Sequence, residues 1–170
     1  MDTTLAYDVL LSHAINFVSF RPRSEKELSD FLGKKAKKEG LVDYSIITRV
    51  MDRMRELGYV DDRAFVLWWV SQRSAFRPKG KRALVQEVEQ KGVAHEVAVL
   101  GVSEALGESE NGSEADMAKK AISKKIVKWS HLPIIEQKKK IYSYLSLRGF
   151  SGETIGKIID EYCKKAYNYE

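Results

Sequence analysis

Two adjacent carboxylates, Asp61 and Asp62, are the residues of this sequence that most suggest general acid/base chemistry. Such chemistry requires carboxyl groups that face the same substrate. Neighbouring residues at the start of a helix point in different directions, because helical side chains share a face only at three- or four-residue spacing. Aspartate is also a favoured residue at helix N-termini, where it accepts hydrogen bonds from free N–H groups. We therefore interpret Asp61 and Asp62 as capping residues.

The other residues that could carry chemistry form no recognisable catalytic or metal-binding motif. Three histidines lie far apart, and none pairs with the single cysteine, Cys163, at a metal-ligand spacing; they are His13, His95 and His131. The segment Lys79-Gly80-Lys81 lacks the second glycine and the serine or threonine of a phosphate-binding loop. Cys163 follows the apolar period of a last helix and is interpreted as a packing residue. The sequence predicts a non-enzyme without cofactor or metal.

Basic residues are concentrated in three separate stretches of the chain. The sequence has 29 Lys and Arg against 24 Asp and Glu, for a net charge of +5. Residues 20–55, 63–92 and 119–170 carry net charges of +4, +5 and +7, and acidic stretches separate them. A recurring basic face predicts a polyanion or a nucleoprotein surface as partner. The alternative is a set of solvated helix faces.

The composition indicates an all-α protein. Only 3 Pro and 11 Gly occur in 170 residues, which favours helix and leaves too few turn residues for a β-sandwich or barrel. The longest apolar run covers residues 64–70, far short of the roughly 20 residues that cross a bilayer. No secretory signal is visible, and a single cysteine excludes an internal disulfide. We expect a soluble, cytoplasmic protein.

The three prolines and three of the glycines mark an internal repeat of about 55 residues. Pro22, Pro78 and Pro133 are 56 and 55 residues apart, and a glycine follows them after 18, 14 and 16 residues, at positions 40, 92 and 149. Proline suits the start of a helix, and glycine suits the left-handed position past its end. Each interval therefore predicts one helix. In the first of them, Ser24 and Glu27 have the spacing of a capping box.

Apolar residues at helical spacing before and after each interval predict three helices in every repeat. The predicted fold is all-α, with three tandem three-helix units, similar to helix-turn-helix domains, that form an elongated, curved body. The units are residues 1–60, 61–106 and 115–170, and an acidic linker covers residues 107–114. The aromatic and methionine residues on the apolar faces, among them Met51, Trp68 and Trp129, are expected in the core.

The ordered motifs in the first two repeats resemble the RecX family of regulatory proteins. The first repeat contributes the segment from Arg21 to Leu28 (RPRSEKEL). The second contributes residues 58–65 (GYVDDRAF), then Trp69 and Arg73, residues 77–80 (RPKG), Leu84 and residues 91–93 (KGV). The resemblance is strong over residues 20–93 and weak after residue 107.

This resemblance implies a non-enzymatic modulator of the RecA recombinase, involved in recombination, DNA repair and the SOS response. Such a protein lodges in the groove of the RecA filament on single-stranded DNA, where it restrains ATP hydrolysis and strand exchange. The implied partners are the RecA filament and DNA, which the protein would bind weakly and without sequence specificity. No membrane partner is implied, and the protein is expected to be a monomer.

The predicted contacts with the filament are basic residues around the starts of the two best-matched helices, together with three lysines that are their equivalents in the third unit. A helix N-terminus with arginine and lysine suits phosphates or the carboxylates of a partner. The predicted partner-binding or DNA-binding residues are Arg21, Arg23, Lys26, Arg73, Arg77, Lys79, Lys81, Arg82, Lys138, Lys139 and Lys140. The alternative function is a helix-turn-helix-like regulator that binds a specific DNA sequence, which would need base-reading side chains and usually a dimer.

Overall fold

The computed structural model describes residues 3–41, 43–107 and 113–167, with the side chains of the last helix described up to residue 162. These residues form α-helices joined by short turns and contain no strand, so the all-α prediction is confirmed. The helices are α1 (Thr3–Ser19), α2 (Glu25–Lys38), α3 (Ser45–Glu56), α4 (Asp62–Phe76), α5 (Lys81–Gln90), α6 (His95–Gly107), α7 (Glu114–Trp129), α8 (Ile134–Leu147) and α9 (Gly152–Tyr167).

Each predicted interval between a proline and a glycine contains one helix. Helices α2, α5 and α8 begin one to three residues after the prolines. Each of these helices is followed by a glycine with positive φ, at 68° for Gly40, 87° for Gly92 and 79° for Gly149. A side chain would be strained in this left-handed conformation, so these glycines end their helices.

By its internal contacts the chain divides into two compact units. The first contains Met1–Trp68 with Val88–Ala98, and the second contains Trp69–Glu87 with Val99–Glu170. The division falls within α4, α5 and α6, and it is not the division into three repeats that the sequence suggests. The boundaries of the predicted repeats stay a prediction. Helix α6 ends at Gly107 and α7 begins at Glu114, while residues 108–112 of the predicted linker lie outside the described part of the chain.

The core of the first unit lies among α1, α2 and α3, which pack against one another in pairs. Their buried side chains lie at three- and four-residue spacing, as expected for amphipathic helices. The core consists of Ala6, Leu10, Ala14, Leu28, Leu32, Ala36, Ile46, Val50, Met51, Met54 and Val60. The prediction that Met51 is buried is confirmed, since only 5% of its surface is exposed.

In the second unit α7, α8 and α9 pack against one another in pairs. Their largest fully buried side chains are Met117, Ile122, Ile141, Leu145 and Ile155. Gly80, just before α5, lies against the turn after α8, and its N–H donates to the carbonyl of Arg148 at 3.0 Å. A Cβ atom on Gly80 would lie 2.2 Å from the backbone nitrogen of Phe150. The absence of a side chain therefore allows the two backbones to approach.

The capping predictions are confirmed in part. Ser24 accepts a hydrogen bond from the N–H of Glu27, as the capping box requires, but the carboxylate of Glu27 pairs with Arg21 instead of returning to the cap. Asp61 accepts hydrogen bonds from the N–H groups of residues 63 and 64 at the start of α4. Asp62 instead accepts from the N–H of Glu25, so it caps α2, and burial raises the pKa of Asp62 above its ordinary value.

The interpretation of Trp68 and Trp129 as core residues needs correction, because both are half-buried. In the first unit, Trp68 packs against Phe65, with ring centroids 5.9 Å apart, and Arg21 lies 5.7 Å from its ring centroid. In the second unit, Trp129 meets Tyr144 edge-on at 5.9 Å. Large aromatic rings often bury one face and leave an edge in water. The side chain of Cys163 lies outside the described residues.

Candidate functional site

Two of the predicted contact residues share a carboxylate of their own unit. In the second unit, Arg73 Nε lies 2.8 Å from Glu87 Oε2, and Lys79 Nζ lies 2.5 Å from Glu87 Oε1. The indole N–H of Trp69 donates to Glu87 Oε2 at 2.9 Å, and the Arg73 guanidinium lies over the Trp69 ring. Helices α4 and α5 and the segment between them carry these residues. Arg73 and Lys79 are thus brought together in a cluster that holds these elements.

The pKa of Glu87 reflects this arrangement. Burial acts to raise the pKa, but hydrogen bonds from Lys79, Arg73 and Trp69 outweigh it, so the pKa lies below its ordinary value. The side chain of Glu87 is only 16% exposed. An ionised carboxylate in this position neutralises part of the charge of its two cations. Arg73 and Lys79 therefore have a structural role in addition to any contact with a partner.

Arg21, in the first unit, is held in a similar way. Its guanidinium makes two hydrogen bonds to the Glu27 carboxylate, at 3.0 and 3.1 Å, and Lys91 Nζ lies 3.1 Å from the same carboxylate. Burial acts to raise the pKa of Glu27, and the hydrogen bonds from Arg21 and Lys91 lower it below the ordinary value. The bidentate pair fixes the chain before α2.

Arg23 lies on an aromatic stack. Its guanidinium is 4.0 Å from the centroid of Phe17, which stacks on Phe31 at 4.0 Å, and its Nε donates to the carbonyl of Phe17. Burial lowers the pKa of Arg23, and the nearby charge of Arg21 lowers it further. Arg23 is half-buried, so part of its surface remains accessible to a partner.

The other predicted contact residues are exposed. Lys26 forms an exposed pair with Asp30 one turn further along α2. Arg77, Lys81 and Arg82 surround the start of α5, and within the described residues none of them has a carboxylate at ion-pair distance. The guanidinium of Arg82 donates to the carbonyl of Ser146 at 3.3 Å. Because a carbonyl oxygen is uncharged, this hydrogen bond does not neutralise the positive charge of Arg82.

Three lysines of α8 belong to the predicted contact set. Lys138, Lys139 and Lys140 are exposed and lie in the second turn of α8, which begins at Ile134. They do not lie at the helix N-terminus, so free N–H groups do not add to their attraction for an anion. The described residues provide no ion pair for them.

The structure also reveals exposed aromatic residues that the analysis of the sequence did not single out. Phe20 is 85% exposed and Phe76 is 80% exposed, although large apolar side chains are usually buried. Each precedes an arginine and a proline, so the tripeptide Phe-Arg-Pro occurs twice, 56 residues apart. That repetition is the signal that could have identified them. In the first unit Phe20, Arg21, Arg23 and Tyr59 line a cleft of about 570 Å³.

The described residues offer neither a metal site nor a membrane span. They contain no group of three His, Cys, Asp or Glu side chains that could hold a metal ion. No helix among them is both long enough and apolar enough to cross a bilayer. What the geometry does provide is a set of exposed cations and aromatic rings, together with cations held in internal ion pairs.

Comparison with known proteins identifies the family. A family model for RecX, second three-helix domain, matches residues 61–98. A protein of Mycobacterium sp. (strain JLS) named Regulatory protein RecX is 31% identical over 144 residues, which are 82% of this chain and 74% of that protein. A protein of the same name from Bacillus licheniformis is 32% identical over 148 residues, which are 87% of this chain and 53% of that protein. The chain thus spans about half the length of the Bacillus relative.

A solved structure supports the same fold. The crystal structure of RecX from Lactobacillus salivarius has a TM-score of 0.77 to this chain, over 93% of this chain and 97% of that one, at 20% identity. The relatives are named regulatory proteins. The family that the motifs of the first two repeats suggest is therefore confirmed, and the chain belongs to the RecX family of regulatory proteins.

Proposed function

We propose that this chain regulates the RecA recombinase by binding in the groove of the RecA filament on single-stranded DNA. Bound there, it opposes the subunit motions that accompany ATP hydrolysis and the entry of the second strand during exchange. The predominant effect is inhibition. A RecA partner implies that the chain works in the cytoplasm, in recombination, DNA repair and the SOS response, and that it acts without catalysis of its own.

The observation that carries the proposal is the set of exposed cations at the start of α5, within a chain of the RecX family. The side chains of Arg77, Lys81 and Arg82 are exposed and form no ion pair among the described residues, although the backbone N–H of Lys81 donates to the Glu114 carboxylate at 2.8 Å. Exposed cations that repel one another destabilise a folded chain slightly, so a cluster of them is typical of a surface that meets an anionic partner. The filament offers such anions in its protein carboxylates and its phosphates.

Several modest contacts can add up to tight binding. Lys26 and Arg23 in the first unit, and Lys138, Lys139 and Lys140 in the second, supply further exposed or half-exposed cations. When binding modules are linked, each later contact forms at a high effective concentration. A chain with contacts on more than one unit can thus bind tightly even where each contact is weak.

The test is co-sedimentation of the full chain with RecA filaments preassembled on single-stranded DNA, followed by measurement of filament ATPase and strand exchange. We expect the chain to sediment with the filaments and to reduce both activities at stoichiometric amounts. Absence of binding and of any effect would contradict the proposal. Gel shifts with bare duplexes test the alternative, since a strong preference for one duplex sequence would favour a sequence-specific DNA-binding regulator.

A further inference from the structure

A cleft in the second unit is lined by cations and aromatic rings, and most of its cations lie outside the predicted contact set. It has a volume of about 440 Å³, and the described residues that line it include no acidic residue. We propose that this cleft, here named the basic cleft, binds the phosphate backbone of single-stranded nucleic acid while a base stacks on the exposed ring of Phe76. Its cations are Arg77, Lys120, Lys124, Lys125 and Arg148, and its aromatic residues are Phe76 and Tyr144.

Two cations of the basic cleft are fixed in position without being neutralised. Lys120 Nζ donates to the backbone carbonyl of Ser74 at 2.6 Å, and Arg148 Nη1 donates to the carbonyl of Pro78 at 3.1 Å. A carbonyl oxygen is a neutral acceptor, so both side chains keep their full charge. Holding them in place reduces the side-chain entropy that a ligand would otherwise have to remove. This arrangement favours an anion in the cleft.

A neighbouring lysine shows the contrasting arrangement. Lys119, next to Lys120 on α7, pairs with Glu161 at 2.8 Å, and that carboxylate raises the pKa of Lys119. Lys120 and Lys124 are four residues apart and so lie on one face of α7. Neither of these two lysines forms an ion pair with a described residue. One side of α7 is therefore neutralised within the protein, and the side toward the cleft is left positive.

An exposed aromatic ring distinguishes single-stranded nucleic acid from other polyanions. The half-buried Tyr144 ring is already covered by Arg148 and Lys125, which lie 4.8 and 5.7 Å from its centroid, so the ring left for a base is that of Phe76. Phe76 is 80% exposed at the edge of the same cleft. Unpaired bases present flat faces that stack on aromatic rings and guanidinium planes, whereas a duplex hides those faces and an acidic peptide has none.

Binding of a fluorescein-labelled 15-mer of thymidylate to the full chain, measured by fluorescence anisotropy at two salt concentrations, tests the proposal. We expect K120Q/K124Q to weaken binding about tenfold and to reduce the slope of log affinity against log salt by about 1.4, which corresponds to two lost phosphate contacts. The matched control, K119Q/K157Q, removes the same charge from lysines that are paired with Glu161 and Glu153. It should bind nearly as the unmodified chain does.

A second variant tests the stacking. F76A should weaken binding of the 15-mer by roughly tenfold with little change in the salt slope, because stacking is not an ionic contact. Thermal unfolding of each variant confirms that it is folded. Because 80% of its surface is exposed, truncating the Phe76 side chain removes little buried contact.

Several results would overturn the proposal. They are equal losses in K120Q/K124Q and K119Q/K157Q, duplex binding as tight as that of the single strand, and competition by polyglutamate as strong as by thymidylate. The last of these would indicate an acidic protein segment as the occupant. The anisotropy assay contains no RecA, so a negative result in it does not contradict the binding of RecA filaments. In the same way, a failure to bind RecA filaments does not contradict the binding of the 15-mer.

Discussion

Lys79 donates a hydrogen bond to Glu87 across 2.5 Å, and the carboxylate of Glu87 also accepts one from Arg73 at 2.8 Å. Both cations belong to the set that the sequence predicts as contacts with a partner. In the structure they hold α4 to α5 within the second unit. A charge reversal at Lys79 would therefore test folding as well as binding, whereas a reversal at the exposed Arg77, whose side chain forms no ion pair among the described residues, tests binding.

The first prediction follows from this shared carboxylate. E87Q should lower the free energy of unfolding by about 2 kcal/mol, because two cations and the indole N–H of Trp69 lose a half-buried ionised acceptor. Urea unfolding measures the change. E136Q is the matched control, since Glu136 is exposed in the first turn of α8, and its change should stay within about 0.5 kcal/mol. A loss in E87Q no larger than in this control would contradict the structural role of Glu87.

The pH dependence of stability follows from the lowered pKa values of Glu27, Glu87 and Glu114. A carboxyl group whose pKa is lower in the folded state than in the unfolded state stabilises the fold above its unfolded pKa, near 4.3. That contribution is lost as the pH falls through the folded pKa. The free energy of unfolding should therefore decrease from about pH 5 downward, which chemical denaturation at a series of pH values measures.

Measuring E87Q at the same pH values tests whether Glu87 contributes to this pH dependence. In E87Q the decrease below pH 5 should be smaller than in the unmodified chain, because one of the groups whose protonation destabilises the fold is missing. An equal pH dependence in the two proteins would show that Glu87 keeps its ordinary pKa.

The turn before α5 gives a prediction about backbone approach. G80A should destabilise the chain by about 3 kcal/mol or more, because its Cβ would lie 2.2 Å from the Phe150 nitrogen and 2.3 Å from the Gly149 carbonyl oxygen, which are backbone atoms. The control is G156A, where a Cβ would meet nothing within 4 Å inside α9. Alanine there should stabilise the chain by about 0.5–1 kcal/mol. Thermal unfolding distinguishes the two, and equal melting temperatures would contradict the close approach.

Ser24 makes the corresponding prediction for the first unit. It is fully buried, accepts from the Glu27 N–H at 3.1 Å and donates to the carbonyl of Lys91 at 2.5 Å. S24A should cost about 2 kcal/mol, since it removes both a helix cap and the hydrogen bond to the part-buried carbonyl of Lys91. S29A, on the exposed face of the same helix, should be neutral or slightly stabilising. Equal unfolding midpoints for S24A and S29A would be inconsistent with this role.

The fold was predictable from the sequence because its signals are local. The preference for proline before a helix and for glycine after it arises from the local backbone conformation. Pro22 with Gly40 and Pro133 with Gly149 therefore mark α2 and α8 without knowledge of tertiary contacts. The apolar stripe of α3 likewise identifies Met51 as a core residue. The family resemblance rests on the same local motifs and is confirmed.

The site was less predictable because the role of a cation depends on what folds next to it. Nothing in the sequence shows that Glu27 forms an ion pair with Arg21 or that Glu87 forms one with Lys79, since these pairs depend on how the helices pack. The caps show the same dependence, because Asp62 caps a helix 37 residues before it in the sequence. Phe76 is exposed at the last residue of α4. In the sequence, the signal that indicated this residue was the repeated Phe-Arg-Pro tripeptide.

We assign filament binding to the exposed side-chain cations at the start of α5, which form no ion pair among the described residues. This assignment is tested by comparing R77E/K81E/R82E with R53E/K119E/K157E in co-sedimentation with RecA filaments on single-stranded DNA. The control reverses three cations that are paired within the protein, with Glu56, Glu161 and Glu153. We predict that the first variant loses filament binding by tenfold or more while it unfolds at the same temperature as the control, which should still bind. Wild-type binding by R77E/K81E/R82E, or an equal loss in both variants, would contradict the account.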